Sequence, residues 1–223
     1  MEALDRQRKA MEDLQKDPST VTLPPNISRI LLRDPRLIGF IAARHKFVAK
    51  ILAGKAVLEI GCQEGFGTFF VSPYVDSITC IDFYPPFSEG FSKHTAPHLG
   101  NCTFKLHDIT LGPVEGNFDG AYALDVLEHI DPSREDRFWL HLCGSLAPSG
   151  IAIIGMPSLE SQKYASEASK VGHVNCKTGE QLKIIAERYF QTVLIFSMND
   201  EMLHNGFLPM SHYIFAVCIT LKS

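Results

Sequence analysis

The sequence has no run of about 20 uninterrupted apolar residues, the length a membrane-spanning helix requires. It also has no CxxC pair. Cys62, Cys80, Cys102, Cys143, Cys176 and Cys218 lack the spacing of a zinc site. Several sit in apolar runs such as SITCID and FAVCIT, where a reduced Cys serves as a small buried hydrophobe. There is no excess of positive charge either: the formal net charge of −4 argues against a broad nucleic-acid-binding surface. Internal repeats and low-complexity tracts are missing. The segment MEALDRQRKAMEDLQKD is too charged for a secretory signal, so a cytoplasmic location is expected.

What is present suits one globular unit with an appendage, since 223 residues can bury a sizeable core. Residues 3 to 16 read as a charged amphipathic helix with Leu4, Met11 and Leu14 on one side. DPSTVTLPPN then breaks the pattern with three prolines. Residues 1–34 are therefore expected to form a helical extension and linker, with the helix a lid, the arm of a homodimer or disordered, and 35–223 the main domain. Pro35 suits the first turn of a second helix carrying Leu37, Ile41, Phe47, Val48 and Ile51 up to Gly54.

Beyond Gly54 the chain alternates. The runs KAVLEIG, SITCIDF, CTFKLHD, GAYALDV, GIAIIGMP and TVLIFSM read as strands, with helical segments such as Arg134–Leu146 and Thr178–Tyr189 between most of them. Near-continuous apolar strands alternating with helices predict an α/β fold, a mostly parallel sheet covered on both faces. HYIFAVCITLK follows TVLIFSM without a helix, so these two strands must be antiparallel.

Ligands of such sheets sit beyond the carboxyl ends of the strands. The first strand ends in Glu59-Ile-Gly61-Cys62-Gln63-Glu64-Gly65, where glycines permit a tight turn and close backbone approach. The second ends in Asp82, placed to accept both hydroxyls of a ribose. The third ends in His107-Asp108-Ile109 and the fourth in Leu124-Asp125, followed by Glu128 and His129. A single acid at a strand end is more often a helix cap or a solvated turn residue. Four consecutive strand ends bearing ligand-type groups on one edge carry more weight.

The stretches VLEIGCQEGFGT, ITCIDF, HDI, FDGAYALDVLEHI, LAPSGIAIIGMPS and GHVNCKTGEQL resemble class I S-adenosylmethionine-dependent methyltransferases of the small-molecule type. Ubiquinone-biosynthesis O-methyltransferases belong to that type. The resemblance implies a Rossmann-like seven-stranded sheet with an antiparallel last strand and S-adenosylmethionine as cofactor. By the same resemblance Glu59, Gly61, Cys62 and Gly65 hold the methionine part, Asp82 the ribose, and Phe83, Asp108 and Ile109 the adenine. Leu124 and Asp125 then face the aminocarboxylate or the methyl donor, and Arg44 resembles an arginine that reaches the cofactor carboxylate in some relatives. Gln63 departs from the glycine usual at its position. The turn is expected at Gly61 and Gly65, with Gln63 pointing outward or over the cofactor.

Methyl transfer to a hydroxyl or amine needs a base, and histidine is the usual one near neutral pH. His173, after the lid-like SLESQKYASEASKVG, is the first candidate and His129 the second. Helix-end roles compete for both: a partner for Glu128 or Asp131 at His129, and a residue before the Thr178–Gln181 capping box at His173. His204 and His212 lie in the hairpin loop NDEMLHNGFLPMSHY, which could wall the acceptor pocket. No metal set is apparent from spacing. The polar loops, together with a likeness of the hairpin to sugar- and polysaccharide-associated methyltransferases, lead to a small polar or saccharide acceptor. A quinol-type metabolite, RNA and a non-catalytic S-adenosylmethionine-binding role are the alternatives. A nicotinamide oxidoreductase would need G-x-G-x-x-G, a register that Gly61-Cys62-Gln63-Glu64-Gly65 does not supply.

Overall fold

A computed structural model describes residues 2–16 and 20–222. Pro18, one of the three prolines expected to break the first helix, lies outside the described residues. Among the described residues three helices precede the sheet: α1 (Glu2–Lys16), α2 (Pro25–Arg33) and α3 (Arg36–Ile51). The sequence pattern missed α2, because Pro24 and Pro25 read as breakers. Pro25 in fact occupies the first turn, where its missing N–H costs nothing. The expected domain boundary falls between α2 and α3, and α2 buries Ile27.

The strands are β1 (Ala56–Ile60), β2 (Ser77–Asp82), β3 (Cys102–Leu106), β4 (Phe118–Leu124), β5 (Leu146–Pro157), β6 (Phe190–Asn199), β7 (Met202–His204) and β8 (Tyr213–Leu221). Among the described residues they form one eight-stranded sheet in the order β3-β2-β1-β4-β5-β8-β6-β7. β1 to β5 pair in parallel, and β8 inserts antiparallel between β5 and β6, as the missing crossover required. The sheet has one strand more than expected: β7, three residues inside the hairpin loop, extends the edge antiparallel to β6. The order of strands reverses between β1 and β4, and the carboxyl ends of both open on the same edge.

Residue alternation along each strand splits the core into two layers. Leu58 and Ile60 join Trp139, Phe138 and Leu142 of α6 (Glu135–Ser145) on one face. Val57 joins Val48 of α3 and Leu52 just past its end on the other, with Tyr122 and Phe215. Glu59, next in the period after Val57, must therefore point to the α3 side. The remaining helices are α4 (Thr68–Val71), α5 (Pro85–His94), α7 (Glu167–Gly172) and α8 (Gly179–Ala186). α8 starts with the capping box read from the sequence, Thr178 and Gln181 each accepting from the other's backbone. The lid-like stretch folds into a 3-10 turn over Leu159–Tyr164 and then α7, capped by Ser158 and Ser166. None of the six cysteines forms a disulfide, and Cys62, Cys80 and Cys218 are buried. No helix among the described residues is long and apolar enough to cross a membrane.

Gln63 corrects the expected turn. Gly61 and Gly65 have φ of +77° and +83°, but Gln63 between them also adopts φ of +51°. A side chain in that region is strained by about 1–2 kcal/mol. Its outward-pointing carboxamide recovers little, accepting one exposed hydrogen bond from Asn26 Nδ2 at 3.0 Å. Gln63→Gly is therefore expected to stabilise the protein by roughly 1 kcal/mol in chemical denaturation, net of the extra backbone entropy glycine loses.

Candidate active site

Two adjoining cavities open at the carboxyl edge where strand order reverses. The smaller, about 100 Å³, is bounded by Glu59, the 61–67 turn, Ile27 of α2, Ile41 and His45 of α3, and Tyr122 to Asp125 at the end of β4. The larger, about 540 Å³, runs from Asp82 and Phe83 past Asp108 to His129 and Arg134. Gly61, Gln63 and Asp125 border both. Asp125, like Gln63, has positive φ (+56°). Two strained residues thus stand at the junction, where a tertiary structure that over-determines the backbone can hold them.

The structure brings most of the sequence candidates to these cavities. Glu59 is buried opposite Cys80 and Tyr122 on the neighbouring strands, and its Oε2 accepts from Thr68 Oγ1 at 2.6 Å and from Cys80 Sγ at 3.3 Å. Cys62 lines the smaller cavity, its thiol pushed up in pKa by burial. Asp82 takes the Gln63 N–H on Oδ2 at 3.0 Å and the Tyr84 N–H on Oδ1 at 3.1 Å. Burial raises its pKa against the opposing pull of those donors. Phe83 is exposed on the rim and Ile109 buried in the wall. Leu124 lines the smaller cavity, and Asp125 sits where the two meet. A Cβ at Gly65 would lie 2.6–2.8 Å from Phe91 and Thr95, so only glycine fits that turn.

Asp108 carries more than its expected role. Its Oδ1 accepts from the Thr110 N–H and hydroxyl at 2.8 and 2.7 Å, and its Oδ2 from Arg134 at 3.1 Å. Burial pushes its carboxyl up, but the Thr110 bonds and Arg134 outweigh that and hold it below the ordinary range. Arg134 escaped the sequence reading because a polar residue before a helix carries no signal of what it will reach.

Arg44 meets the junction of the cavities through Asp125. It borders neither cavity. Its guanidinium pairs with Asp125 at 3.1 Å and stacks 3.7 Å over the Tyr213 ring, with Nε unpartnered. Burial opposes its charge, and Asp125 more than restores it. His45, its neighbour, faces the smaller cavity together with Ile41. Period-3.6 reasoning could not choose between adjacent residues of a helix buried on more than one side.

His129 and His173 come together with ring centroids 5.0 Å apart. His129 Nδ1 donates to the Gly172 carbonyl at 2.9 Å, and His173 Nδ1 lies 2.8 Å from Gln162 Oε1. Both rings thereby turn Nε2 away from these partners. Burial, then the charge of His129, lowers the pKa of His173, although Asp125 opposes this. The segment carrying His173 is anchored where Asn175 and Lys177 reach Glu135 of α6 at 3.2 and 2.8 Å. His204 and His212 do not wall either cavity. His204 binds Ser197 at 2.9 Å, and His212 Nε2 accepts from the Asp200 N–H at 2.6 Å.

Sequence spacing showed no metal set, yet ligand atoms of Glu128, His129 and His173 all lie within 4.8 Å of one another. Such a group could hold a divalent ion. Glu128 is fully buried with both carboxylate oxygens unpartnered, and burial, then the nearby Asp125, pushes its carboxyl well above the ordinary range.

Comparison with known proteins agrees with this geometry. Residues 57–150 match a family model described as a methyltransferase domain. The ubiquinone biosynthesis O-methyltransferase of Psychrobacter arcticus is 27% identical over 135 residues, 56% of this chain and 50% of that protein. The mitochondrial one of Schizosaccharomyces pombe is 29% identical over 109 residues, 46% of this chain and 38% of that protein. The chain thus spans half or less of the curated relatives it matches. Among solved structures, the N-methyltransferase NodS from Bradyrhizobium japonicum in complex with S-adenosyl-L-homocysteine superimposes with a TM-score of 0.64 at 18% identity. That match covers 85% of this chain and 90% of that one. The methyltransferase domain of bacterial CtHen1-C gives 0.65 at 17% identity, over 82% and 100%. At such identities the likeness establishes the fold.

Glu128 yields a pH prediction. A carboxyl whose folded pKa is raised binds its proton in the fold and releases it on unfolding, so stability falls as pH climbs above its ordinary 4.5. Glu128→Gln cannot titrate. In chelator-containing buffer, denaturation midpoints should show the variant gaining on wild type from about pH 5 to about pH 8 and matching it near pH 4.5.

Proposed function

We infer that this chain is a class I S-adenosylmethionine-dependent methyltransferase, and we propose that it O-methylates a small polar acceptor, a saccharide hydroxyl before others. One observation carries the cofactor assignment: Glu59, Asp82, Asp108 and Asp125, from four successive strand ends, border two cavities that meet at the 61–65 turn. The residues fit the group. The smaller cavity, with Glu59 and the turn, would take the aminoacyl end. In the larger, Asp82 would take the ribose hydroxyls, with Phe83, Asp108 and Ile109 around the adenine. S-adenosylmethionine would supply, when bound, a sulfonium-activated methyl group, transferred in line to a nucleophile with the thioether sulfur as leaving group. The protein's share is then to align the acceptor and remove its proton.

His173 is assigned that proton transfer, meeting the larger cavity through His129, which lines it as His173 does not. A neutral ring whose Nδ1–H is tied to Gln162 presents the Nε2 lone pair, and the lowered pKa of His173 keeps that form populated near neutrality. The larger cavity ends in His129, Asp131 and Arg134, hydrogen-bonding groups that suit a hydroxyl-rich acceptor better than a flat apolar ring. A saccharide, another small metabolite such as a quinol, or RNA would each present such a hydroxyl, and the net charge of −4 weighs against RNA.

A second reading rests on the unpartnered Glu128 oxygens beside the two imidazoles. With a divalent cation there, the acceptor hydroxyl would ionise on the metal rather than by transfer to His173. Titrating the chelated protein with Mn²⁺ separates the two. Micromolar binding lost in Glu128→Gln, with turnover restored by the cation, favours the metal. Full turnover in chelator favours the base.

The whole assignment is tested by calorimetry and a labelled-methyl transfer screen across nucleotide sugars, glycans, quinol precursors and RNA. Wild-type protein should bind S-adenosylmethionine, and Asp82→Ala should weaken binding at least about tenfold, the loss of a charge-assisted pair of hydrogen bonds. His173→Asn should lower kcat by about 10²-fold or more while leaving cofactor binding within twofold. Absence of cofactor binding by wild type would overturn the assignment.

A further inference from the structure

The smaller cavity has an unusual charge balance. Glu59 and Glu64 are among its lining residues, as is Asp125 within its ion pair to Arg44, and no lysine or arginine borders it. A concave site of that sign attracts a cationic group rather than an anion. Arg44, which could have reversed the balance, is turned away on Asp125 and Tyr213.

His45 completes the wall. Its Nδ1 lies 2.8 Å from the carbonyl oxygen of Ile41, one turn earlier in α3. A carbonyl only accepts, so Nδ1 carries the proton and Nε2 of the neutral ring keeps its lone pair. Edge-on contact with Tyr122 (6.1 Å between centroids) and a tilted contact with Phe70 (6.3 Å) hold the ring. Its Nε2 end abuts Gly67, where any Cβ would collide with it, so the glycine leaves the imidazole tip room at the turn. Among the described residues Nε2 has no hydrogen-bond partner, and it is not sealed from solvent. Across the cavity, Glu59 spends Oε2 on Thr68 and Cys80. Its other oxygen takes no hydrogen bond within 3.5 Å from the described residues, although the buried Tyr122 hydroxyl is close enough to interact with the carboxylate.

We propose that His45 binds the amino end of the methionine half of the cofactor, its Nε2 accepting a hydrogen bond from the α-ammonium group while Glu59 supplies the facing charge. This assignment rests on the cofactor reading above. Burial supports it by pushing the His45 pKa below its ordinary 6.5, although Glu59 and the Ile41 carbonyl oppose the shift. The lone-pair form therefore prevails at neutral pH. The titratable groups around it are Glu59 from β1, Asp125 after β4 and Arg44 alongside on α3.

The test compares two nucleosides by calorimetry: S-adenosylhomocysteine, which has the amino-acid end, and 5′-methylthioadenosine, which lacks it. His45→Phe keeps the ring volume without the acceptor. It should weaken S-adenosylhomocysteine binding about tenfold or more and leave methylthioadenosine within twofold. A second measurement needs no variant. In wild type the preference for S-adenosylhomocysteine over methylthioadenosine should fall as pH drops from about 7.5 to about 5, because a protonated Nε2 cannot accept and repels the ammonium. A variant that weakens both nucleosides alike or neither, or a preference flat with pH, overturns the assignment while the cofactor reading stands. Wild-type protein that binds neither nucleoside overturns the cofactor reading and this assignment with it.

Discussion

The hydrogen bond from the Gln63 N–H to Asp82 Oδ2, 3.0 Å long, ties the turn after β1 to the end of β2. Everything at the carboxyl edge is referenced to it. To aim that N–H at the carboxylate the backbone takes three left-handed conformations in five residues, at Gly61, Gln63 and Gly65. Two of these are free of strain because glycine has no Cβ, and the third is not. The strain at Gln63 is small beside the desolvation that Asp82 would suffer if it were buried without donors. The turn thus satisfies an acid that must stay buried, and the cavities form on either side of it.

The same economy recurs along the edge. Glu59 is satisfied by Thr68 and Cys80, Asp108 by Thr110 and Arg134, and Asp125 by Arg44. Each acid keeps its place because a side chain from a different element donates to it. Glu128 breaks the pattern: it is buried, unpartnered and next to two oriented imidazoles. A buried carboxyl in that state stays protonated until a cation or a donor arrives.

The alternation of apolar runs with helical segments was enough to read the parallel sheet, and the missing crossover before HYIFAVCITLK was enough to set β8 antiparallel. Asp82 and Asp108 were legible because strand ends are marked by where apolar runs stop. α2 was not, since prolines signal a break and a helix start alike, and β7 is too short to show period-2 alternation. Arg134, His45 and the pairing of Arg44 with Asp125 carried no local signal at all. They depend on which face of a helix meets which strand end, 81 positions apart in the case of Arg44 and Asp125.

Sequence by itself determined the α/β class, the glycine turn, the ladder of acids and the capping box of α8, because each follows from local residue chemistry and period. Only the tertiary structure decided that Gln63 bears strain, that Arg44 faces Asp125 while His45 faces the cavity, and that Glu128, His129 and His173 converge. Those outcomes arise from packing between distant segments, where burial and the need to satisfy every polar group select one arrangement among many that the local sequence allows.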